Sequence, residues 1–274
     1  MKDAVTLYNL SNVQLTFQLY ATDARNTEDG GFDLLPKATK PTDVGTWVTM
    51  PQSAITLAPR TQATLPITIN VPDTATPGDH VGGIVASSPT VGLGPDGKTV
   101  LLDRRTGPRI YLRVAGPLNP HLTVEKLKVS YHPALNPFSG SADVTYRIAN
   151  RGNVRLQGTQ QVSASGVLGV LGGGKHKSKV PEILPGQSIP MHFKLTGVGA
   201  AFLDFGNVRL TPQAIGGTGA GSASSWRALT LALPYTIIVL LLSAWLLARA
   251  RRAYLRRNRG PASTSSANVP VPAG

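Results

Sequence analysis

The chain has 274 residues, a formal net charge of +13 and no cysteine. The absence of cysteine excludes disulfide frameworks, thiol catalysis, thiolate zinc sites and iron–sulfur clusters. Charged residues make up 15%, below the roughly 25% of an average domain, while 29 glycines and 22 prolines supply many turns. This composition is typical of a β-rich protein with short strands.

The positive charge is unevenly distributed along the chain. Residues 1–115 carry ten basic and ten acidic residues, residues 116–227 carry eleven and four, and six arginines follow residue 248. Because the excess lies in the second half and at the C-terminal end, the net charge is not a nucleic-acid signature. The basic second half suits an anionic wall polymer or lipid surface, or it is an ordinary solvated surface.

Alternating apolar and polar residues predict strands in the first part of the chain. They occur over 13–19, 63–71, 80–87 and 110–114, and residues 92–98 have the composition of a hairpin tip. Pro66 lies on the outward face of its run, which predicts an edge strand. Positions with predicted structural roles are Pro77 and Gly78 in a turn, and Gly82 and Gly83 at a bulge or close approach.

A second β unit follows a linker rich in proline, glycine and asparagine. Its predicted strands cover 122–131, with a bulge, then 144–148, 189–195 and finally 208–210. Asn150 and Gly152 are predicted to shape a hairpin turn. We therefore predict an all-β fold of two immunoglobulin-like β-sandwich domains at 1–115 and 120–213, followed by a flexible stalk at 214–227.

Residues 228–248 form a run of 21 positions without a charge, which is the length of a transmembrane helix. Arginines cluster after this run, at Arg249, Arg251, Arg252, Arg256 and Arg257, while only Arg227 precedes it. The positive-inside rule then predicts a single-pass plasma-membrane protein with extracellular domains and a basic, disordered cytoplasmic tail at 249–274. The N-terminus has no export signal, so either that signal is missing from this chain or the C-terminal helix inserts alone.

No motif in the sequence predicts catalysis. Residues 169–176 (GVLGGGKH) match part of a phosphate loop, but His176 stands where Ser or Thr is required, which favours a glycine-rich hairpin. The five histidines show no metal-ligand spacing, and no nucleophile elbow or zinc-protease motif is present. The acidic cluster of Asp23, Glu28, Asp29 and Asp33 either binds calcium or has ordinary turn and surface roles. We predict no enzyme activity, no cofactor and no metal.

The chain resembles the WxL-interacting surface protein family, in its high-GC Gram-positive form. The resemblance lies in LTFQLYATDARNTEDGGF (15–32), DVGTWV (43–48), VPDTATPGDHVGGIVAS (71–87), NRGNVRLQG (150–158) and ILPGQS (183–188). It covers most of residues 5–258 and implies a peptidoglycan-binding first domain, a second β domain that binds a host protein, one membrane helix and a basic tail. The missing export signal implies that the first strand of the first domain is missing too.

The resemblance implies a non-catalytic, membrane-anchored cell-surface protein that binds or scaffolds peptidoglycan or other surface proteins, without a nucleic-acid partner. The alternative is a membrane-tethered enzyme or enzyme subunit acting on the cell wall, and a structural stalk is a third possibility. Trp47 is either a core anchor or a platform on which a sugar stacks. The candidate ligand-binding residues are Trp47, Asp23, Asn26, Asp29, Gly30 and Gly31.

Overall fold

The computed structural model describes residues 1–136, 139–166, 174–200, 202–217, 221–233 and 235–257. The regular structure in these residues is mostly β-strand, arranged as two β-sandwich-like domains, which confirms the all-β prediction at this level. The predicted glycine-rich hairpin and the disordered tail lie largely outside the described residues.

The first domain contains β1 (Lys2–Tyr8), β2 (Leu15–Asn26), β3 (Phe32–Leu34), α1 (Val44–Trp47), β4 (Val48–Thr49), β5 (Ala54–Leu57), β6 (Gln62–Ile69), β7 (Gly78–Leu93), β8 (Thr99–Thr106) and β9 (Arg109–Val114). One sheet has the order β1-β6-β4. The other is built around β7, which pairs with β2 on one side and with β8 and β9 on the other. Strands β3 and β5 pair with β2.

Apolar side chains from both sheets form the core of this domain. Leu7 and Leu65 come from the first sheet, and Phe17, Leu19 and Ala86 come from the second. These residues occupy alternate positions of their strands, so the period-2 pattern buries one face of each sheet and leaves the other in water. The alternating apolar residues seen in the sequence therefore form the core between the two sheets of the first domain.

Two predicted special positions in this domain fit their surroundings. Pro66 lies opposite Ala4 in the ladder with β1, whereas β4 reaches β6 only at Thr68 and Ile69. The proline nitrogen therefore needs no ladder partner, but β6 is the middle strand of its sheet, so the edge-strand prediction is wrong. At Gly82 an added Cβ would lie 2.5 Å from the carbonyl oxygen of Thr22 on the neighbouring strand β2, so glycine suits this position.

The second domain contains β10 (Leu122–His132), β11 (Gly140–Asn150), β12 (Leu156–Gly166), β13 (Lys175–Ile183), β14 (Ser188–Val198), β15 (Phe202–Ala214) and β16 (Ser224–Ala232). Its sheets have the orders β10-β11-β14 and β13-β12-β15-β16. Val144, Ile148, Val162 and Val208 are fully buried between them. The predicted bulge in β10 is present, because the register with β11 shifts between Glu125 and Lys128.

The apolar run at 228–248 does not form one helix. Its first five residues lie in β16, which pairs with β15 from Ser224 to Ala232, so part of the predicted stalk and the start of the predicted span are strand. Helix α2 (Tyr235–Arg257) begins later. Its uncharged part, 235–248, is about 21 Å long at about 1.5 Å per residue, compared with a bilayer core of about 30 Å.

No helix in the described part of the chain is long and apolar enough to cross a membrane. The predicted transmembrane helix is therefore wrong, and so are the plasma-membrane location and the inside–outside topology that depended on it. The arginines used to assign that topology lie in the C-terminal part of α2, and the negative end of the helix dipole favours positive charge in the last turn. They are Arg249, Arg251, Arg252, Arg256 and Arg257.

Each domain contains a buried asparagine that ties a loop to a turn. The Asn150 side chain donates to the carbonyl oxygens of Val154 at 2.7 Å and Ile183 at 2.9 Å, and its own oxygen accepts the Gly152 N–H. Asn9 in the first domain makes the corresponding bonds, to Val13 among others. The loop after β1 in the first domain and the loop after β11 in the second are thus each held by the side chain of a buried asparagine.

We expect N150A to lower the free energy of unfolding by about 2 kcal/mol, because it leaves two buried carbonyl oxygens without donors. Urea unfolding followed by circular dichroism measures this loss. The control N70A removes an exposed asparagine and is expected to stay within about 0.5 kcal/mol of the parent. Equal midpoints for N150A and N70A would contradict the assigned role.

Candidate functional site

Trp47 belongs to the core of the first domain. It is 8% exposed, packs with Val44 and Ile69, and its ring centroid lies 4.8 Å from that of His80. His80 in turn contacts Asp43 through Nδ1 at 2.7 Å and the Thr76 carbonyl oxygen through Nε2 at 2.8 Å. This burial favours the core-anchor alternative for the indole over the sugar-stacking platform.

Asp23 organises the loop that leads into α1. Its carboxylate accepts the backbone N–H groups of Thr42 at 2.6 Å, Asp43 at 3.0 Å and Gly45 at 2.8 Å. The four acidic residues considered for calcium do not converge, since the described residues contain no group of three or more His, Asp or Glu side chains that could hold a metal ion. Asp23 therefore has a loop-holding role in this geometry.

The loop between β2 and β3 is a turn closed by its own side chains. Asp29 is exposed, and hydrogen bonds from the Thr27 hydroxyl and then the Gly31 N–H lower the pKa of its carboxyl. Gly30 adopts φ +82°, the left-handed conformation expected for this turn, and Gly31 does not. The loop residues are thus placed by turn chemistry.

Asn26 and Gly30 contact the second domain. The Asn26 side chain donates to the Glu182 carbonyl oxygen at 2.7 Å and accepts the Leu184 N–H at 2.9 Å. At Gly30 an added Cβ would lie 2.7 Å from Cγ of Pro181. Residues that the sequence analysis grouped as ligand-binding therefore take part in the junction between the domains.

Asp79 lies at the centre of this junction, with its side chain 3% exposed. It accepts two hydrogen bonds from the Arg113 guanidinium, at 2.6 and 2.9 Å, and one from the Arg155 N–H at 2.7 Å. Burial acts to raise the pKa of Asp79, but these hydrogen bonds and the two positive charges outweigh it, so the pKa lies below its ordinary value. The carboxylate is thus ionised and links β7 and β9 to the loop before β12.

Asn153 closes the junction beside Asp79. Its side-chain amide donates to the carbonyl oxygens of Pro77 at 2.8 Å and Pro117 at 2.9 Å. Its backbone carbonyl oxygen accepts the Asp79 N–H at 2.7 Å. This approach requires glycine at 78, where φ is +127° and an added Cβ would lie 2.2 Å from the Asn153 carbonyl oxygen.

Three of the positions predicted to be structural, Pro77, Gly78 and Gly152, lie at the junction, whereas Gly82 and Gly83 contact residues of the first domain. Pro77 and Gly78 meet the loop at 150–153, and Gly152 packs against the Asn119 carbonyl oxygen, which would lie 2.0 Å from an added Cβ. Sequence reasoning missed Asp79, Arg113 and Asn153, which join these elements. The contact between Asp79 and Arg155 spans 76 residues and leaves no short-range signal.

An apolar groove opens between the two sheets of the first domain, away from the junction. A cavity of about 300 Å³ lies between β1 and the turn that joins β8 to β9. A second cavity, of about 340 Å³, continues along β8 and shares Ala86 and Thr106 with the first. Leu7, Leu19 and Leu65 line the first cavity, so the groove reaches the core.

The groove has a free strand edge on each side. Within the described residues, β1 pairs only with β6, and β8 pairs only with β7. The Asn9 N–H donates to Thr61 and Met1 accepts from Ile69, so the odd-numbered residues of β1 bond to β6. The N–H groups of Thr6 and Tyr8 therefore face the open edge.

No protein-family model and no curated protein matches this sequence. Solved structures with a similar fold include a chaperone–tip adhesin complex of CFA/I fimbriae biogenesis, with 13% identity, a TM-score of 0.38 and coverage of 85% of this chain and 93% of that chain. The class 5 fimbriae chaperone CfaA has 14% identity, a TM-score of 0.36 and coverage of 85% and 93%. The Pseudomonas aeruginosa chaperone CupB2 has 12% identity and a TM-score of 0.31, and the match covers 85% of this chain and 92% of that chain. These values limit the likeness to the fold.

The predicted membership of the WxL-interacting surface protein family is wrong, because no family model matches the chain. The function inferred from it, a membrane-anchored binder or scaffold of peptidoglycan, is wrong as well, because the family match fails and the described residues contain no helix that could span a membrane. The cell-wall enzyme alternative and the peptidoglycan, surface-protein and membrane partners depended on the same inference and are wrong with it. Ligand binding by Trp47 and the loop at 23–31 stays a prediction.

We expect G78A to open the domain junction. G97A provides a matched control, because Gly97 also has positive φ, at 76°, but has no atom within 4 Å of an added Cβ. Backbone strain alone should cost G97A about 1 kcal/mol, and overlap with Asn153 should cost G78A about 1–3 kcal/mol more. Thermal unfolding measures both variants, and equal losses would contradict the close approach.

We expect Asp79 to stabilise the protein in a pH-dependent way. Because its folded-state pKa is depressed, its contribution is complete above the unfolded pKa of about 3.9 and is lost as the pH falls through the folded pKa. D79N should lose about 2–4 kcal/mol at pH 7 and show a smaller further loss below pH 4 than the parent. Urea unfolding at stepped pH values measures this difference. The exposed control D73N should follow the parent, and parallel curves for D79N and the parent would contradict the assignment.

Proposed function

We propose that this protein is a non-catalytic binding protein that holds an extended polypeptide segment of a partner protein. The segment adds as a β-strand between β1 and β8 of the first of two immunoglobulin-like sandwiches. The observation that carries the proposal is the pair of free strand edges on either side of an apolar opening into the core. Strand addition of this kind takes affinity from main-chain hydrogen bonds and specificity from side-chain pockets.

The backbone of β1 is prepared to accept a partner strand. The N–H groups of Thr6 and Tyr8 face outward, and nothing in the described part of the chain covers them. The Ala4 N–H also points away from β6, since it donates to the Asp3 carboxylate at 2.8 Å. An exposed edge of this length pairs readily with another chain unless it is blocked.

The groove selects the pattern of the incoming segment. Side chains of a strand point alternately to its two faces, so every second residue of the segment would enter the groove. Leu19, Leu65, Ile84 and Ala86 line its floor, which favours apolar residues at those positions. Exposed arginines on β8 line the second cavity, so acidic residues of the partner are favoured beyond the apolar stretch.

This activity is chaperone-like, because an apolar segment of the partner is kept out of water until it is released. Burying apolar surface supplies about 25 cal/mol per Å² of area removed from water, before the cost of ordering the segment is subtracted. No chemical step is needed for binding or release. A second copy of this chain is a different occupant, which the experiment below distinguishes by self-association.

We expect T6P to weaken binding of a peptide of about eight residues in which Val alternates with Thr and the end carries Asp. Proline removes the outward N–H of Thr6 without breaking a bond to β6, whereas the control T6V retains that N–H. Fluorescence anisotropy should give an approximately tenfold higher Kd for T6P and an unchanged Kd for T6V. A peptide of equal composition with its Val residues in one block should bind weakly to every variant.

A second pair of variants tests the groove side of the hairpin. Leu102 and Val91 are exposed and lie on opposite faces of it, since Leu102 pairs with Thr90 and Val91 pairs with Leu101. We expect L102S to weaken binding and V91S to leave it unchanged. Hydrogen exchange should slow at Thr6 and Tyr8 when the peptide binds. Equal binding of alternating and block peptides, or exchange that slows only through self-association, would contradict the proposal.

A further inference from the structure

The sheet β13-β12-β15-β16 of the second domain has one face in the core and one in water. Val162, Val180, Val208 and Leu210 point inward and are buried. The residues between them point outward, because side chains alternate along a strand. The outward side chains from β13 across to the first half of β16 form what we call the basic face.

The cations of the basic face lie in rows without anions, and the carboxylate of Glu182 at the end of β13 is paired with Arg155. The cationic side chains of these rows are exposed and have no ion-pair partner among the described residues; they are Lys175, Lys177, Lys179, Arg209 and Arg227. The register places them in rows across the sheet, with Lys177 beside Gln161 and Arg209, and Lys175 in line with Ser163, Asn207 and Arg227. No carboxylate belongs to these rows.

The opposite sheet of the same domain shows that this imbalance is local. On its outward face His132 contacts the Asp143 carboxylate at 2.8 Å, and Glu125 pairs with Arg151 at 2.6 Å. Lys128 and Lys194 on that sheet therefore lie among acidic groups. The uncompensated charge belongs to the basic face, where it attracts anions over about 8–10 Å at physiological salt.

We propose that the basic face binds a linear acidic polysaccharide, a sugar chain that carries carboxylate or sulfate groups at regular intervals. Successive lysines of β13 lie about 6.7 Å apart along the strand. They form a row of positive charges along which an extended polyanion can bind. Between the cations, Thr159, Gln161, Asn207 and Thr211 offer hydroxyl and amide groups, which hydrogen-bond to sugar hydroxyls. This inference is independent of the strand-addition groove of the first domain.

The side chains of the basic face disfavour the other polyanions. Single-stranded nucleic acid is held by several aromatic side chains on which successive bases stack. The rows that hold the cations contain no aromatic residue, and Phe205 lies in the next row, between Ser165 and Leu229. Protein interfaces centre on buried aromatic and apolar residues and are depleted in lysine. A lipid surface needs apolar side chains that enter it, and on this face they lie beyond the cationic rows, at Phe205, Leu229 and Leu231.

The double variant K177E/R209E tests the proposal in the full-length chain. K128E/K194E is the matched control, because it makes the same change in net charge on the opposite sheet of the same domain. Binding of heparin and polygalacturonate is measured by microscale thermophoresis at two salt concentrations, with neutral dextran as a blank. We expect K177E/R209E to raise both Kd values about tenfold or more and K128E/K194E to change them less than about threefold.

Competitors of equal charge decide the class of ligand. Poly-glutamate, oligo-dT and vesicles containing phosphatidylserine are expected to bind more weakly than the two acidic polysaccharides at physiological salt. Equal effects of the two double variants would overturn the site. Equal binding of all anions would overturn the assignment to a polysaccharide, and tighter binding to vesicles would assign the face to a lipid surface instead.

Discussion

The arrangement of the two domains depends on the buried carboxylate of Asp79. An ionised group that is shielded from water is costly unless charges and hydrogen bonds compensate it, and here Arg113 and the Arg155 N–H do so. Meeting this requirement fixes β7, β9 and the loop before β12 relative to one another. Asn153 and Gly78 then fit against each other because the carboxylate has already set the distance between their loops.

Local patterning predicted most strands but could not decide between equivalent apolar runs. The alternation around Phe17, Ile67 and Val144 appears as strands with one buried face. Pro66 did not predict an edge strand correctly, because which strands lie beside β6 depends on pairing that the local sequence does not contain. The run at 228–232 is apolar in either a strand or a helix, and its pairing with β15 decides between them. The groove escaped prediction for the same reason, since it depends on which strand edges remain unpaired.

One signal in the sequence could have revealed the internal relation between the domains. Residues 9–15 read NLSNVQL and residues 150–156 read NRGNVRL, and both segments contain the buried asparagine that ties a loop to a turn. The fourth position of this motif differs in use. Asn12 accepts two hydrogen bonds from Arg60 within its own domain, whereas Asn153 reaches the other domain. The same loop thus makes contacts within its own domain in the first sandwich and contacts between the two domains in the second.

The closed junction has a consequence for how a partner held by the proposed strand addition would be released. Asp79, Asn26 and Asn153 tie the sandwiches together at separate points, so the domains have no free hinge about which to swing apart. A bound strand would then leave by fraying from one end, with its hydrogen bonds to β1 breaking in succession. Its lifetime would be set by the strand's own length and pattern, and an incoming competitor could shorten that lifetime by occupying each position as it is vacated.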